Sequence, residues 1–130
     1  MLLSLDQITK HFARVHFQET FQIIPFIKFK FAENPGIAFS WQVPYWILIP
    51  VILFMIIFLT HQLLTKDLKK LEITSYLLIL SGAVGNLIDR ILFQKVTDFI
   101  SIGNFPVFNV ADSCITLGVA VLLYQEFRKT

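Results

Sequence analysis

Asp98 and Asp112 are the only charged residues in the stretch VTDFISIGNFPVFNVADSC, from Val96 to Cys114. Phe99 and Ile100 follow the first, and Val110 and Ala111 precede the second. Two carboxylates held close in apolar surroundings cannot both ionise readily, so one keeps a proton and acts as an acid while the other acts as a base. Such a pair can activate water against an amide and protonate the departing nitrogen, which is aspartic-protease chemistry. Each residue also has an ordinary reading. Asn109 followed three positions later by Asp112 resembles a helix N-cap with an acid in the first turn. Asp98 fits a turn whose side chain bonds to backbone.

Further polar residues fall in apolar sequence. Gly82, Asn86, Asp89 and Arg90 follow one helical stripe, and so do Asn109, Asp112 and Thr116. Ser81, Gly82, Ala83 and Gly85 would let a neighbouring helix approach closely. Arg90 stands beside Asp89, so a local ion pair and a structural role are expected for that aspartate. Other hydrolytic chemistries lack their residues. His11, His16 and His61 do not have zinc-ligand spacing and read as solvated or interfacial, while Cys114 reads as a small buried residue. A G-x-S-x-G elbow and a Gly-rich phosphate loop are both missing from the sequence.

The elements that must carry these residues belong in lipid. The chain of 130 residues is 55% hydrophobic and 15% charged, with mean hydropathy +0.68. Ordinary soluble domains are about 25% charged. A net charge of +2 gives no reason to expect nucleic acid. Three segments approach the ~20 apolar residues that a membrane span needs: residues 43–64, 73–93 and 107–124. Pro50 is a tolerated kink in the first, and Trp41, Tyr45 and Trp46 resemble an interfacial aromatic belt. Lys66, Lys69 and Lys70 lie in one short connection and Arg128 and Lys129 in the tail, whereas the connection from Gln94 to Pro106 has only Lys95. The positive-inside rule makes the lysine-rich side cytoplasmic and turns Asp98 and Asp112 outward. Within residues 13–42, FIKFKFA alternates apolar and basic residues and ENPG supplies a turn, so a small extracytoplasmic sheet is expected there. The fold class is a mainly α membrane protein, a polytopic helical bundle with a small β-sheet.

LDQITK (Leu5 to Lys10), NPGIAFS (Asn34 to Ser40), GAVGNLIDR (Gly82 to Arg90), VTDFI (Val96 to Ile100) and FNVADSCI (Phe108 to Ile115) together resemble the ordered blocks of bacterial lipoprotein signal peptidase, or signal peptidase II. The resemblance implies a single membrane-embedded aspartic peptidase domain over 1–130. Its substrate would be a prolipoprotein cut just before a diacylglyceryl-modified cysteine. Carried over by position, it makes Asp98 and Asp112 the catalytic dyad, with substrate-binding or supporting roles for Asn34, Gly82, Asn86, Asp89, Arg90, Val96, Asn109, Ala111, Asp6 and Lys10. No metal or organic cofactor is implied. The partners are the lipid-modified prolipoprotein and membrane lipid, the protein would act as a monomer, and its place would be the bacterial inner membrane with the site at the outer face.

Two departures accompany the resemblance. Pro35 stands where the family usually has Thr, which removes a backbone donor and stiffens the loop. Only Met1 to Leu5 precede Asp6, too few at 1.5 Å per residue to cross a core about 30 Å thick. Residues 1–12 are therefore expected as a stub of the first span of a four-span family, either because the true start lies upstream or because the protein is a shortened variant with three full spans. The competing reading is a non-catalytic polytopic protein whose Asn, Asp and Arg residues serve helix packing or ion conduction.

Overall fold

The computed structural model describes residues 1–36 and 43–129. Its elements run α1 (Leu2–His16), β1 (Phe21–Ile24), β2 (Ile27–Asn34), α2 (Tyr45–Thr65), α3 (Lys70–Phe93), β3 (Val96–Ile102) and α4 (Val110–Lys129). Trp41 and the part of the NPGIAFS block beyond Gly36 lie outside the described residues.

Helices α2, α3 and α4 are long and apolar enough to cross a membrane. At 1.5 Å per residue, the 24 residues of α3 reach about 36 Å. The chain backbone in such a medium must satisfy its own hydrogen bonds, which favours continuous helices. The helix limits differ from those read in sequence for local reasons. Helix α2 begins at Tyr45, immediately after Pro44. Helix α3 begins at Lys70 instead of Ile73 because Glu72 Oε2 accepts the Lys69 backbone N–H at 2.8 Å. Helix α4 starts at Val110 instead of Val107 because Asn109 caps it, and it runs past Tyr124 to Lys129.

Helices α3 and α4 approach most closely along small residues. A Cβ added at Gly82 would sit 2.3 Å from the Ala111 carbonyl oxygen, and one at Gly118 would sit 2.8 Å from that of Ser75. Helix α1 continues to His16, beyond the expected stub, and packs with its polar face inward. Asp6, Lys10 and Ala13 are buried, at spacings of four and three, while Leu5, Ile8, Phe12 and Val15 stay exposed. That reverses the arrangement of a soluble amphipathic helix.

The three strands form one antiparallel sheet in the order β1-β2-β3. Strand β2 falls where the FIKFKFA alternation placed it, and β1 lies within the 13–42 segment expected to form the sheet. The third is a correction, since residues 94–106 read as a connection and contain β3. Strand β3 is buried from Val96 to Phe99 on both faces, so its sequence has no alternation to detect. Gln94, at φ 58°, ends α3 and turns the chain into β3. A register shift between Phe29 and Ala32 lies beside the Ala32–Asp98 pair, and bulges of this kind re-aim neighbouring side chains. Phe108 closes the sheet against α4 by accepting from the Ile100 N–H at 2.8 Å and donating to its carbonyl at 3.0 Å.

Candidate active site

Asp98 projects from the middle of β3, and Asp112 from the first turn of α4. Asn109 joins them. Its side-chain amide donates to Asp98 Oδ1 at 2.7 Å, while its backbone N–H donates to Asp112 Oδ2 at 3.3 Å. The Asp112 N–H donates in return to Asn109 Oδ1 at 2.8 Å. The ordinary capping reading of Asn109 and Asp112 is therefore realised as a reciprocal box. It coexists with the pairing, because the same asparagine reaches Asp98 with its remaining donor. Asn34 also hydrogen-bonds to Asp98, and Asn86 Nδ2 donates to Asp112 Oδ1 at 2.8 Å.

Asp98 is only 3% exposed. Burial, and then the charge of Asp112, push its carboxyl up to about 7, against the opposing bonds from Asn34 and Asn109 and the Lys10 charge. A carboxyl that holds its proton near neutrality beside a second carboxylate matches an acid and a base in one site.

Behind the aspartates lies a closed ionic layer. Lys10, fully buried, spends its three donors on Asp6 Oδ2 at 2.9 Å, Asn86 Oδ1 at 2.9 Å and Asp89 Oδ2 at 3.5 Å. Asp89, also fully buried, further accepts from Arg14 Nη2 at 3.0 Å and from the Thr97 N–H at 2.9 Å. Asp6 Oδ1 accepts the Ala111 N–H at 2.9 Å, so a residue of α1 caps α4. Two cations thus balance two carboxylates, which is what a buried ionic group requires.

The expected local pair of Asp89 with Arg90 does not form. Adjacent helical residues point about 100° apart and do not face one another. Asp89 turns toward α1, whereas Arg90 donates to the Gly36 carbonyl at 3.1 Å and the Asn86 carbonyl at 3.3 Å. Among the described residues no carboxylate lies within ion-pair distance of Arg90, and its buried Nε has no partner.

Of the residues read from sequence, Asp98, Asp112, Asn34, Asn86 and Asn109 converge on one cluster. Asp6, Lys10 and Asp89 form the layer behind it. Gly82 and Ala111 are the helix contact, Val96 pairs with Asn34 across the sheet, and Thr116 is exposed. Arg14 and Thr97 were missed as partners of Asp89. Arg14 lies four residues after Lys10 and eight after Asp6, so the polar face of α1 was the available signal. The histidines His11, His16 and His61 are exposed. Among the described residues no group of three or more His, Cys, Asp or Glu side chains is arranged to hold a metal ion.

Comparison with known proteins gives this geometry its context. A family model described as signal peptidase (SPase) II matches residues 1–128. The chain belongs to the signal peptidase II family. The lipoprotein signal peptidase of Bartonella tribocorum is 42% identical over 95% of this chain and 80% of its own length. That of Moorella thermoacetica is 36% identical over 96% of this chain and 87% of its own. A solved bacterial membrane enzyme, 28% identical, superposes with a TM-score of 0.90 over 98% of this chain and 83% of that one. A second, 29% identical, reaches 0.88 over 99% and 89%. As a member of the signal peptidase II family, the protein is a membrane peptidase of bacterial type, with the helical bundle and small sheet described above.

Proposed function

We propose that this signal peptidase II family member removes the signal peptide from diacylglyceryl-modified prolipoproteins, cutting just before the lipidated cysteine. The observation that carries the reading is the convergence of Asp98 and Asp112 on Asn109, one aspartate held near neutrality and the other bonded to Asn86.

The proton-bearing Asp98 donates to the scissile carbonyl oxygen. The Asp112 carboxylate takes a proton from water, whose oxygen attacks the carbonyl carbon to form a neutral gem-diol. Asp112 then passes its proton to the departing cysteine nitrogen as the C–N bond breaks, and Asp98 recovers one hydroxyl proton. The signal peptide leaves as a carboxylic acid and the dyad returns to its starting state. Asn86, Asn109 and Asn34 hold the two carboxyls in register, while Asp6, Lys10 and Asp89 keep Asn86 and the start of α4 in place. Arg90 secures the turn at Gly36, and its Nε–H, without a partner among the described residues, is available to a substrate carbonyl.

The whole chain acts as one peptidase domain and as a monomer. Its location is the bacterial cytoplasmic membrane. The lysines near the α2–α3 connection lie at the opposite end of the bundle from the aspartates, which supports a site at the outer face. There, acyl chains of the modified cysteine remain in the bilayer while the peptide bond reaches the dyad.

The test is cleavage of diacylglyceryl-modified prolipoprotein by purified protein, followed by intact mass. Asp98→Asn and Asp112→Asn should each remain folded and lose cleavage. Retained cleavage in either variant would remove that residue from the dyad. The packing or conduction reading draws on the capping role of Asp112, and an amide at that position, which still accepts the Asn109 N–H, separates the two.

A further inference from the structure

Two uncharged apolar segments meet at the end of the sheet farthest from the Lys95–Glu33 ion pair. One is the hairpin FQIIPFI, residues 21–27, and the other is FISIGNFPV, residues 99–107. Ile27 pairs with Ile102, the Gly103 N–H donates to the Phe26 carbonyl at 2.8 Å, and the Phe105 N–H closes a turn on the Ile102 carbonyl at 2.9 Å. The two segments therefore form one tip. Phe99 packs inward against Phe17 and Phe29, but the outermost side chains of the tip do not. Phe26 is 57% and Phe105 63% exposed, and Phe21, Ile24 and Ile102 are exposed beside them. These values match those of the membrane-crossing α2, where Phe54 is 71% and Ile57 67% exposed.

The position of the tip limits what can cover it. Strand β3 begins three residues after α3 ends, and seven residues lead from Ile102 to Val110, the first residue of α4. At about 3.5 Å per residue that connection extends no more than about 25 Å, and Phe108 shortens it by bonding to Ile100. The tip is thus tethered beside the end of the bundle from which the spans emerge. Lys28 and Lys30 follow the hairpin directly, and apolar side chains flanked by basic ones suit a lipid headgroup boundary. Strand β1 is a sheet edge with unpaired backbone groups, which can lie among headgroups but not in the hydrocarbon core.

We infer that the tip formed by Ile24, Phe26, Ile102 and Phe105 inserts into the headgroup–acyl boundary of the bilayer that α2, α3 and α4 cross. This contact is additional to the spans. It holds the sheet, and with it Asp98, down against the membrane surface, at the depth where a lipid-anchored chain leaves the bilayer.

The experiment uses the full chain with Cys114→Ala and single cysteines at Phe26 or Phe105, each labelled with an environment-sensitive fluorophore. Phe54→Cys on α2 and Glu19→Cys before β1 serve as deep and aqueous references. The proteins are placed in phosphatidylcholine–phosphatidylglycerol vesicles carrying spin labels either high on the acyl chain or at the bilayer centre. Emission from Phe26→Cys and Phe105→Cys should be lost to the shallow spin label and resist aqueous iodide. Iodide quenching equal to that at Glu19→Cys overturns the inference. Quenching by the central label equal to that at Phe54→Cys also overturns it, as does shielding from all three quenchers, which would mean a second copy covers the tip. Circular dichroism checks folding, and Ile24→Cys reads the same surface should either phenylalanine variant fail to fold. The label positions do not touch the aspartates, so failure here leaves the peptidase reading intact.

Discussion

Asp98→Asn should abolish cleavage and at the same time stabilise the protein, by an amount that depends on pH. Asp98 rises from 3.8 to about 7 through burial and the Asp112 charge. At about 1.36 kcal/mol per pH unit, that displacement corresponds to about 4 kcal/mol. Because the folded-state value is the higher one, the folded protein binds more protons than the unfolded chain between pH 4 and 7. The stabilising contribution is complete below about pH 4 and is lost as pH rises through about 7. An asparagine does not titrate and keeps an acceptor for the Asn109 amide, so it escapes the loss. Thermal unfolding in one detergent, measured from pH 3.5 to 8.5, checks this. The two proteins should be nearly equal at the acid end, and the variant should be more stable at the alkaline end by up to about 4 kcal/mol. Carboxylates away from the dyad titrate alike in both proteins and cancel in the difference. Cleavage should fall by about 10²- to 10⁴-fold, the usual worth of a general acid or base. A stability difference that stays flat with pH, or a variant less stable at pH 8, would refute the reasoning about Asp98.

The pH profile of kcat/KM should have an alkaline limb near pH 7, where the free enzyme loses the Asp98 proton. Since the Asn34 bond lowers the Asp98 value, Asn34→Ala should move that limb upward, and an unmoved or downward limb counts against the contact. Lys10→Met leaves Asp6 and Asp89 short of a cation in a buried site and should cost about 3–5 kcal/mol. Adding Asp6→Asn should restore part of the lost thermal stability, and a double variant no better than the single one would contradict the charge-balanced layer. Gly82→Ala places a methyl 2.3 Å from a backbone oxygen of α4 and should lower the unfolding temperature and folded yield. Ser81→Ala, on a neighbouring position that is not fully buried, should leave both nearly unchanged.

The local chemistry of the chain determined its spans, strand β2 and the candidate aspartates. Apolar runs near 20 residues have few alternatives to a membrane helix, and FIKFKFA carries the period of a strand on its surface. Uncompensated carboxylates in apolar sequence likewise stand out because they are costly. Tertiary structure decided the partners. Arg90 adjoins Asp89 in the chain, yet helix geometry turns it toward Gly36, and Asp89 finds Lys10 and Arg14 more than 70 residues away. Strand β3, buried on both faces, carried no alternation, so only its pairing with β2 identifies it. Asn109 looked like a helix cap and is one, but the reach of its amide to Asp98 depends on β3 folding back beside α4. Periodicity and cost are properties of neighbouring residues and survive in a linear string. Which charges meet is set by how whole elements pack, and that is a property of the assembled molecule.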